Sequence, residues 1–215
     1  LREVRQFSAT GDESARRIEE DEMTETPEAR PIKGVHHGAF RCRDAEQTRW
    51  FYEDVLGLVT EGGVVLDEVP GTGADDPYLH IFFRMKNGEY IAFFDAPASA
   101  DPEWFKRKES FDMHWAFEVE SEEVLLAMQA RINSFGVSAL GPIDHHFVRS
   151  IYMYDPNGIQ VELTYRTPDH DAIFAKEKAD FTDVLARWSE RTRAVKLEKF
   201  GAEAIEKRGR APVKA

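Results

Sequence analysis

The chain has 215 residues, is 42% hydrophobic and 32% charged, and carries a net charge of −12. That length accommodates one substantial core or two fused half-domains of about 65 residues each, and the acidic balance argues against nucleic acid, whose phosphates call for surplus Lys and Arg. No run reaches the roughly 18 consecutive apolar residues of a membrane span, and the polar N-terminus lacks the apolar centre of a signal peptide. The lone cysteine, Cys42, excludes an internal disulfide framework and offers no thiolate cluster for zinc. The expectation is a cytoplasmic protein whose partner is a small molecule.

Residues 1–31, with "RRIEEDEMTETPEARP", are acidic and poor in apolar periodicity, so they read as a mobile arm or a short surface helix without chemistry. The middle of the chain contains a repeat. "HGAFRCRD" at 37–44 resembles "HWAFEVES" at 114–121, with a shared His, then Ala-Phe two residues on. Each copy leads into a helix. After Asp44, "AEQTRWFYEDVLGL" spaces Trp50, Phe51, Val55 and Leu58 at helical intervals and stops near Gly57. After Ser121, "EEVLLAMQARINSFGV" does the same and ends at Gly136. Each half then returns through Asn-Gly into a strand, "NGEYIAFF" from 87 and "NGIQVELT" from 157. Asn-Gly between apolar runs signals a hairpin, because both residues tolerate positive φ.

The expected architecture is α+β: two tandem βαβββ modules forming a curved mixed sheet with a cleft between halves, followed by a C-terminal helix. The boundaries are 32–98 and 112–166 for the modules, 99–111 for a connector, and 167–215 for the helix and a basic tail. In that tail Pro168 suits a helix start, and Phe174, Phe181, Val184, Leu185 and Trp188 recur at helical spacing. Such a helix calls for a surface to bury against, its own sheet or a partner subunit.

Strand parity locates the candidate chemistry, since successive side chains point to opposite faces. Gly38, Phe40 and Cys42 share one face of the first repeat strand, and His37 stands on the other. Trp115, Phe117 and Val119 share the matching face of the second, leaving His114 opposite. In "IYMYDPNGIQVEL", Ile159, Val161 and Leu163 take the apolar face and Glu162 the other. Two imidazoles and one carboxylate converging in a cleft form a 2-His-1-carboxylate set, which leaves positions open on a divalent metal.

With "VHHGAFRCRD", "FYEDVLGL", "MHWAFEVES" and "YDPNGIQVEL" in this order, residues 33–165 resemble the vicinal oxygen chelate superfamily, which holds glyoxalases, epimerases, extradiol dioxygenases and bleomycin resistance proteins. The resemblance implies His37, rather than His36, with His114 and Glu162 as metal ligands. It also implies a small-molecule substrate with vicinal oxygens, and a homodimer. Glyoxalase and epimerase members take a fourth ligand from the first half, where this chain has Ala92. The pattern therefore looks like the extradiol dioxygenases, which use Fe(II) on catechol-like substrates. The alternatives are a lyase or isomerase using Zn, Mn, Ni or Co, and a non-catalytic drug-sequestering protein.

"SIYMYDPNG" resembles the segment ahead of the ligand Glu in extradiol enzymes, which makes Tyr152 a substrate-contacting residue. Tyr152 faces Glu162 only if the intervening loop is the three residues Pro156, Asn157 and Gly158. The family's acid/base His ahead of the second ligand has no counterpart between Ile81 and Met113, and His145 or His146 is the substitute for proton transfer. Tyr90 and Phe94 share the parity of Ala92 and offer a wall for a ring-shaped substrate, with Trp104 and Phe111 as closing residues. His36 and His80 read as packing or surface residues.

Overall fold

The computed structural model describes residues 32–108 and 113–206. The acidic arm, Phe111 and the last nine residues of the basic tail lie outside the described residues.

The first module opens with β1 (His37–Cys42) and the short helix α1 (Ala45–Arg49). Asp44 caps α1, its carboxylate accepting from the Gln47 amide at 2.7 Å. The expected single α-helix does not continue as such: from Trp50 to Val55 the backbone winds as a π-helix. The wider turn sets the neighbouring residues Phe51 and Tyr52 both into the core, along with Val55. The module is completed by β2 (Val59–Val69), β3 (Ala74–Arg84) and β4 (Tyr90–Asp95). A single 3₁₀ turn, Pro102–Phe105, follows.

The second module repeats the plan with β5 (His114–Glu118), α2 (Glu122–Ser134), β6 (Leu140–Asp144), β7 (Val148–Tyr154) and β8 (Gln160–Arg166). Ser121 caps α2 as its spacing suggested, its hydroxyl accepting from Val124 at 3.4 Å.

Among the described residues the strands form two four-stranded mixed sheets, ordered β1-β4-β3-β2 and β5-β8-β7-β6, with no closed barrel. In both, the first strand pairs in parallel with the last, and the register is the same: His37 opposes Tyr90 as His114 opposes Gln160. Ala92 therefore occupies in the first module the place that Glu162 occupies in the second.

The helix-facing sides of both sheets share one core. Phe51, Phe83, Ile91 and Phe93 of the first module and Leu125, Ile132, Ile151 and Val161 of the second are fully buried in it. Phe40 meets Trp115 edge to face at 5.7 Å between ring centroids. A Cβ on Gly38 would lie 2.6 Å from the Trp115 ring, so glycine permits that approach. Polar contacts fasten the modules together: the Arg43 amide donates to Asn157 at 2.9 Å, Asn157 donates to Thr48 at 3.2 Å, and Arg131 donates to the carbonyls of Val55 and Asp54.

Beyond β8 the chain enters α3 (His170–Phe200), and Gly201 (φ 79°) turns it into the short α4 (Ala202–Glu206). No residue of α3 is buried. The surface this helix was expected to cover is not its own sheet.

Candidate metal centre

Because the helix-facing residues of β1 and β5 meet in one core, the residues of opposite parity stand on the outer, open faces of the two sheets. On the second sheet this brings His114, Glu162, Tyr152 and His145 together. Tyr152 pairs directly with Glu162 across β7 and β8. The Asp155 amide donates to the Ile159 carbonyl at 2.9 Å, so the loop is the three-residue one that this register demands.

Glu162 is only 6% exposed. Burying an ionised carboxylate costs several kcal/mol unless donors or a cation offset it. Its Oε2 lies 3.2 Å from His114 Nε2, and its Oε1 accepts from the Tyr152 hydroxyl at 3.1 Å. His145 Nε2 lies 2.8 Å from that same hydroxyl. A phenol has one proton, so when Tyr152 donates it to Glu162, its oxygen accepts from His145 and the imidazole carries its proton on Nε2. Partial burial, followed by the nearby Glu162 charge, pushes the Tyr152 phenol above its ordinary pKa and keeps it a donor at neutral pH.

His146 occupies the β6–β7 turn with φ 69°, is exposed, and has its amide bonded to Asp144 at 2.7 Å. It is His145 that reaches the phenol.

His37 stands on the open face of the other sheet. Its Nδ1 lies 2.8 Å from His36 Nδ1, and its ring lies 5.8 Å from Phe82 and 6.2 Å from His80. Among the described residues, no group of three His, Cys, Asp or Glu side chains is placed to hold a metal ion. One chain thus joins two members of the sequence-derived set, His114 and Glu162, and holds the third, His37, on a separate face. The imidazole nitrogen and carboxylate oxygens of the pair are donor types that suit a divalent cation, and the pair brings together two of the three expected donors.

The first open face is aromatic. His80 stacks on Phe94 with centroids 3.8 Å apart and lies 4.2 Å from Phe82. His80 Nε2 is buried without a hydrogen-bond partner among the described residues, and burial, together with His37, lowers the pKa of this imidazole. His80, expected as a packing or surface residue, does pack, but on the open face beside His37. Its parity with Phe82 on β3 was the available signal. Tyr90 meets Phe82 edge to face at 6.1 Å, and Arg41 lies over the Trp104 ring at 5.6 Å while donating to Ala96 and Ser99. Tyr90 and Phe94, expected as the wall, thus stand beside Phe82 and His80, and Trp104, expected as a closing residue, meets Arg41.

Two βαβββ modules with matched registers, a His opening the first strand of each and a carboxylate on the last strand of the second define an α+β fold of paired modules. The family profile for the glyoxalase/bleomycin resistance protein/dioxygenase superfamily matches residues 34–163, and the chain belongs to that superfamily. Its members are typically divalent-metal dependent. Among solved structures, a glyoxalase/bleomycin resistance protein/dioxygenase domain from Frankia sp. EAN1pec superposes with a TM-score of 0.51 at 16% identity, covering 63% of this chain and 99% of that one. A glyoxalase/dioxygenase from Nostoc punctiforme gives 0.47 at 24% identity, covering 63% and 92%. The fosfomycin resistance protein FosX of Listeria monocytogenes, complexed with Mn(II) and sulfate, gives 0.46 at 23%, covering 66% and 98%. No curated protein sequence matches the chain. Among the described residues, no helix is long and apolar enough to cross a membrane.

Proposed function

We propose that the protein is a divalent-metal enzyme whose centre forms between two copies of the chain, with His114 and Glu162 from one and His37 of the partner subunit as the third ligand. The observation that carries this reading is the split of the ligand set: the buried Glu162–His114 pair on one open face, and His37 on the other. Stacking the first open face of one copy on the second open face of another unites the three donors. It also covers the pair with the aromatic surface of Phe82, Phe94 and His80.

The reaction supported best is extradiol-type dioxygenation of a catechol-like substrate, or of another with vicinal oxygens, with Fe(II) as the metal. Ala92 at the register position of Glu162 leaves three protein donors, so positions remain for two substrate oxygens and dioxygen. The cation, when bound, supplies Lewis acidity to those oxygens. The chain's own residues do the rest. Tyr152 fixes the orientation of Glu162, and His145 holds a proton 2.8 Å from the phenol oxygen, where it can exchange with a phenolic substrate. The aromatic face orients a planar ring and excludes water.

The test is elemental analysis after anaerobic purification, wild type beside His114→Ala, followed by dioxygen consumption with catechols. Iron in the wild type at about one equivalent, absent from the variant, supports the reading. Zinc, manganese, nickel or cobalt with dioxygen-independent turnover assigns a lyase or isomerase instead. A protein that takes no metal on reconstitution yet binds aromatic ligands assigns a sequestering protein.

A further inference from the structure

The family match ends at residue 163, and α3 begins at His170, so this helix is an addition to the superfamily scaffold. At the helical rise of 1.5 Å per residue it is about 46 Å long. Its base is held where Phe174 meets Phe147 edge to face at 5.2 Å. Further along, Phe181, Val184, Leu185, Trp188 and Val195 continue a stripe with Phe174, and all six are between 46% and 58% exposed. An isolated helix gains most of its stability from packing such a face, and large exposed apolar stripes mark interaction surfaces.

Two features of the stripe state what covers it. Its apolar positions are symmetric about a point between Val184 and Leu185: Phe174 is as far from that point as Val195, and Phe181 as far as Trp188. The charges are not symmetric. Residues 170–184 carry four Asp or Glu against two Lys, whereas residues 185–200 carry five Lys or Arg against two Glu. A second copy laid antiparallel brings every apolar residue of the stripe against an apolar one. The same arrangement sets the acidic half of each helix along the basic half of the other, with Asp180 and Asp183 beside the partner's Arg187. A parallel copy would align acidic with acidic and basic with basic, which is repulsive along both halves. A surface complementary to itself under a 2-fold rotation is the signature of an isologous contact.

We propose that α3 is a dimerisation arm that pairs antiparallel with α3 of a second copy of this chain, on a 2-fold axis passing between Val184 and Leu185. This contact is independent of the metal reading, since the metal-free protein has the same helix. Oligomeric state alone does not test it, because stacked open faces would also give dimers; the position of contact does.

Cys42 is the only cysteine and is buried, so single thiols introduced on α3 report alone. In the full-length, metal-free chain, Leu185→Cys treated with a short bismaleimide is expected to give a covalent dimer in high yield, and the wild type none. Phe174→Cys and Val195→Cys, each alone, are expected to cross-link weakly. A mixture of the two, one affinity-tagged, is expected to give the tagged–untagged pair at several-fold higher yield. All three sites lie outside the buried core, and Phe174→Cys, which removes the ring that meets Phe147 at the helix base, is checked against the wild type for unchanged helix content by circular dichroism. No dimer from Leu185→Cys, or self-linking of Phe174→Cys in preference to the mixed pair, overturns the proposal. So does a monomer whose Leu185→Cys thiol is shielded from reagent.

Discussion

Tyr152 lies directly across the sheet from Glu162 and donates a hydrogen bond of 3.1 Å to its carboxylate. The bond orients a buried anion toward His114, which is the role outer partners play for metal-ligating carboxylates. Tyr152→Phe keeps the ring and removes the donor. Expected is a weakening of Mn(II) or Fe(II) affinity by about 10–100-fold with the fold unchanged, measured by titration against a competing chelator. Unchanged affinity would mean that the bond positions nothing the metal uses.

The turn after β7 is organised by Asp155, only 5% exposed, which accepts from the amides of Asn157 and Ile159 at 2.9 and 2.8 Å and from the Tyr52 hydroxyl at 3.1 Å. Burial, only partly countered by these donors, raises its pKa above the ordinary carboxylate value. A carboxyl raised in the folded state binds more protons there than in the unfolded chain. Its contribution is therefore most favourable at acid pH and is lost as pH rises from the unfolded pKa through the folded one. Urea unfolding of the wild type beside Asp155→Asn across that window is expected to show the wild type losing ground to the variant with rising pH. Asp155→Ala, which strands several donors, is expected to cost about 2–4 kcal/mol at neutral pH.

The internal repeat made the modules legible, because local signals agreed with each other: Asp44 and Ser121 cap helices, Asn-Gly turns precede β4 and β8, and alternation assigns faces. The same parity selected His37, His114 and Glu162 as outward residues. The meeting of those faces was not legible. Whether two sheets close over one another or pack back to back depends on which helix-facing side chains interlock, and that rests on Gly38 admitting Trp115 and on Asn157 reaching Thr48 and Arg43. Neither contact has a periodic signature. The π-winding at Trp50 escaped for a related reason, since Trp50, Phe51, Val55 and Leu58 fit an α-helical pattern and the reach of Tyr52 to Asp155 has no periodic signature.

Gly158 has φ 76°, and a Cβ there would sit 2.4 Å from the Lys106 carbonyl oxygen. The loop that fixes the Tyr152–Glu162 register thus passes against the connector backbone at Lys106 with no room for a side chain. Gly158→Ala combines left-handed backbone strain with a backbone clash, and a loss of about 2–4 kcal/mol is expected. Thermal unfolding measures it; a change of less than about 1 kcal/mol would mean that the connector moves aside freely.

The proposed ligand set, split between two faces of the chain, makes an in-chain site and a shared site distinguishable without any substrate. In the shared arrangement, a His37→Ala chain keeps the Glu162–His114 pair, and a Glu162→Ala chain keeps His37. Each variant alone has no complete centre. When the two are unfolded together and refolded in equal amounts, random pairing makes half the dimers mixed, and each mixed dimer holds one intact centre of two. Metal content is expected to recover to about a quarter of the wild-type value, from near zero in either variant alone. A centre built within one chain recovers nothing on mixing, because no chain in the mixture carries all three donors.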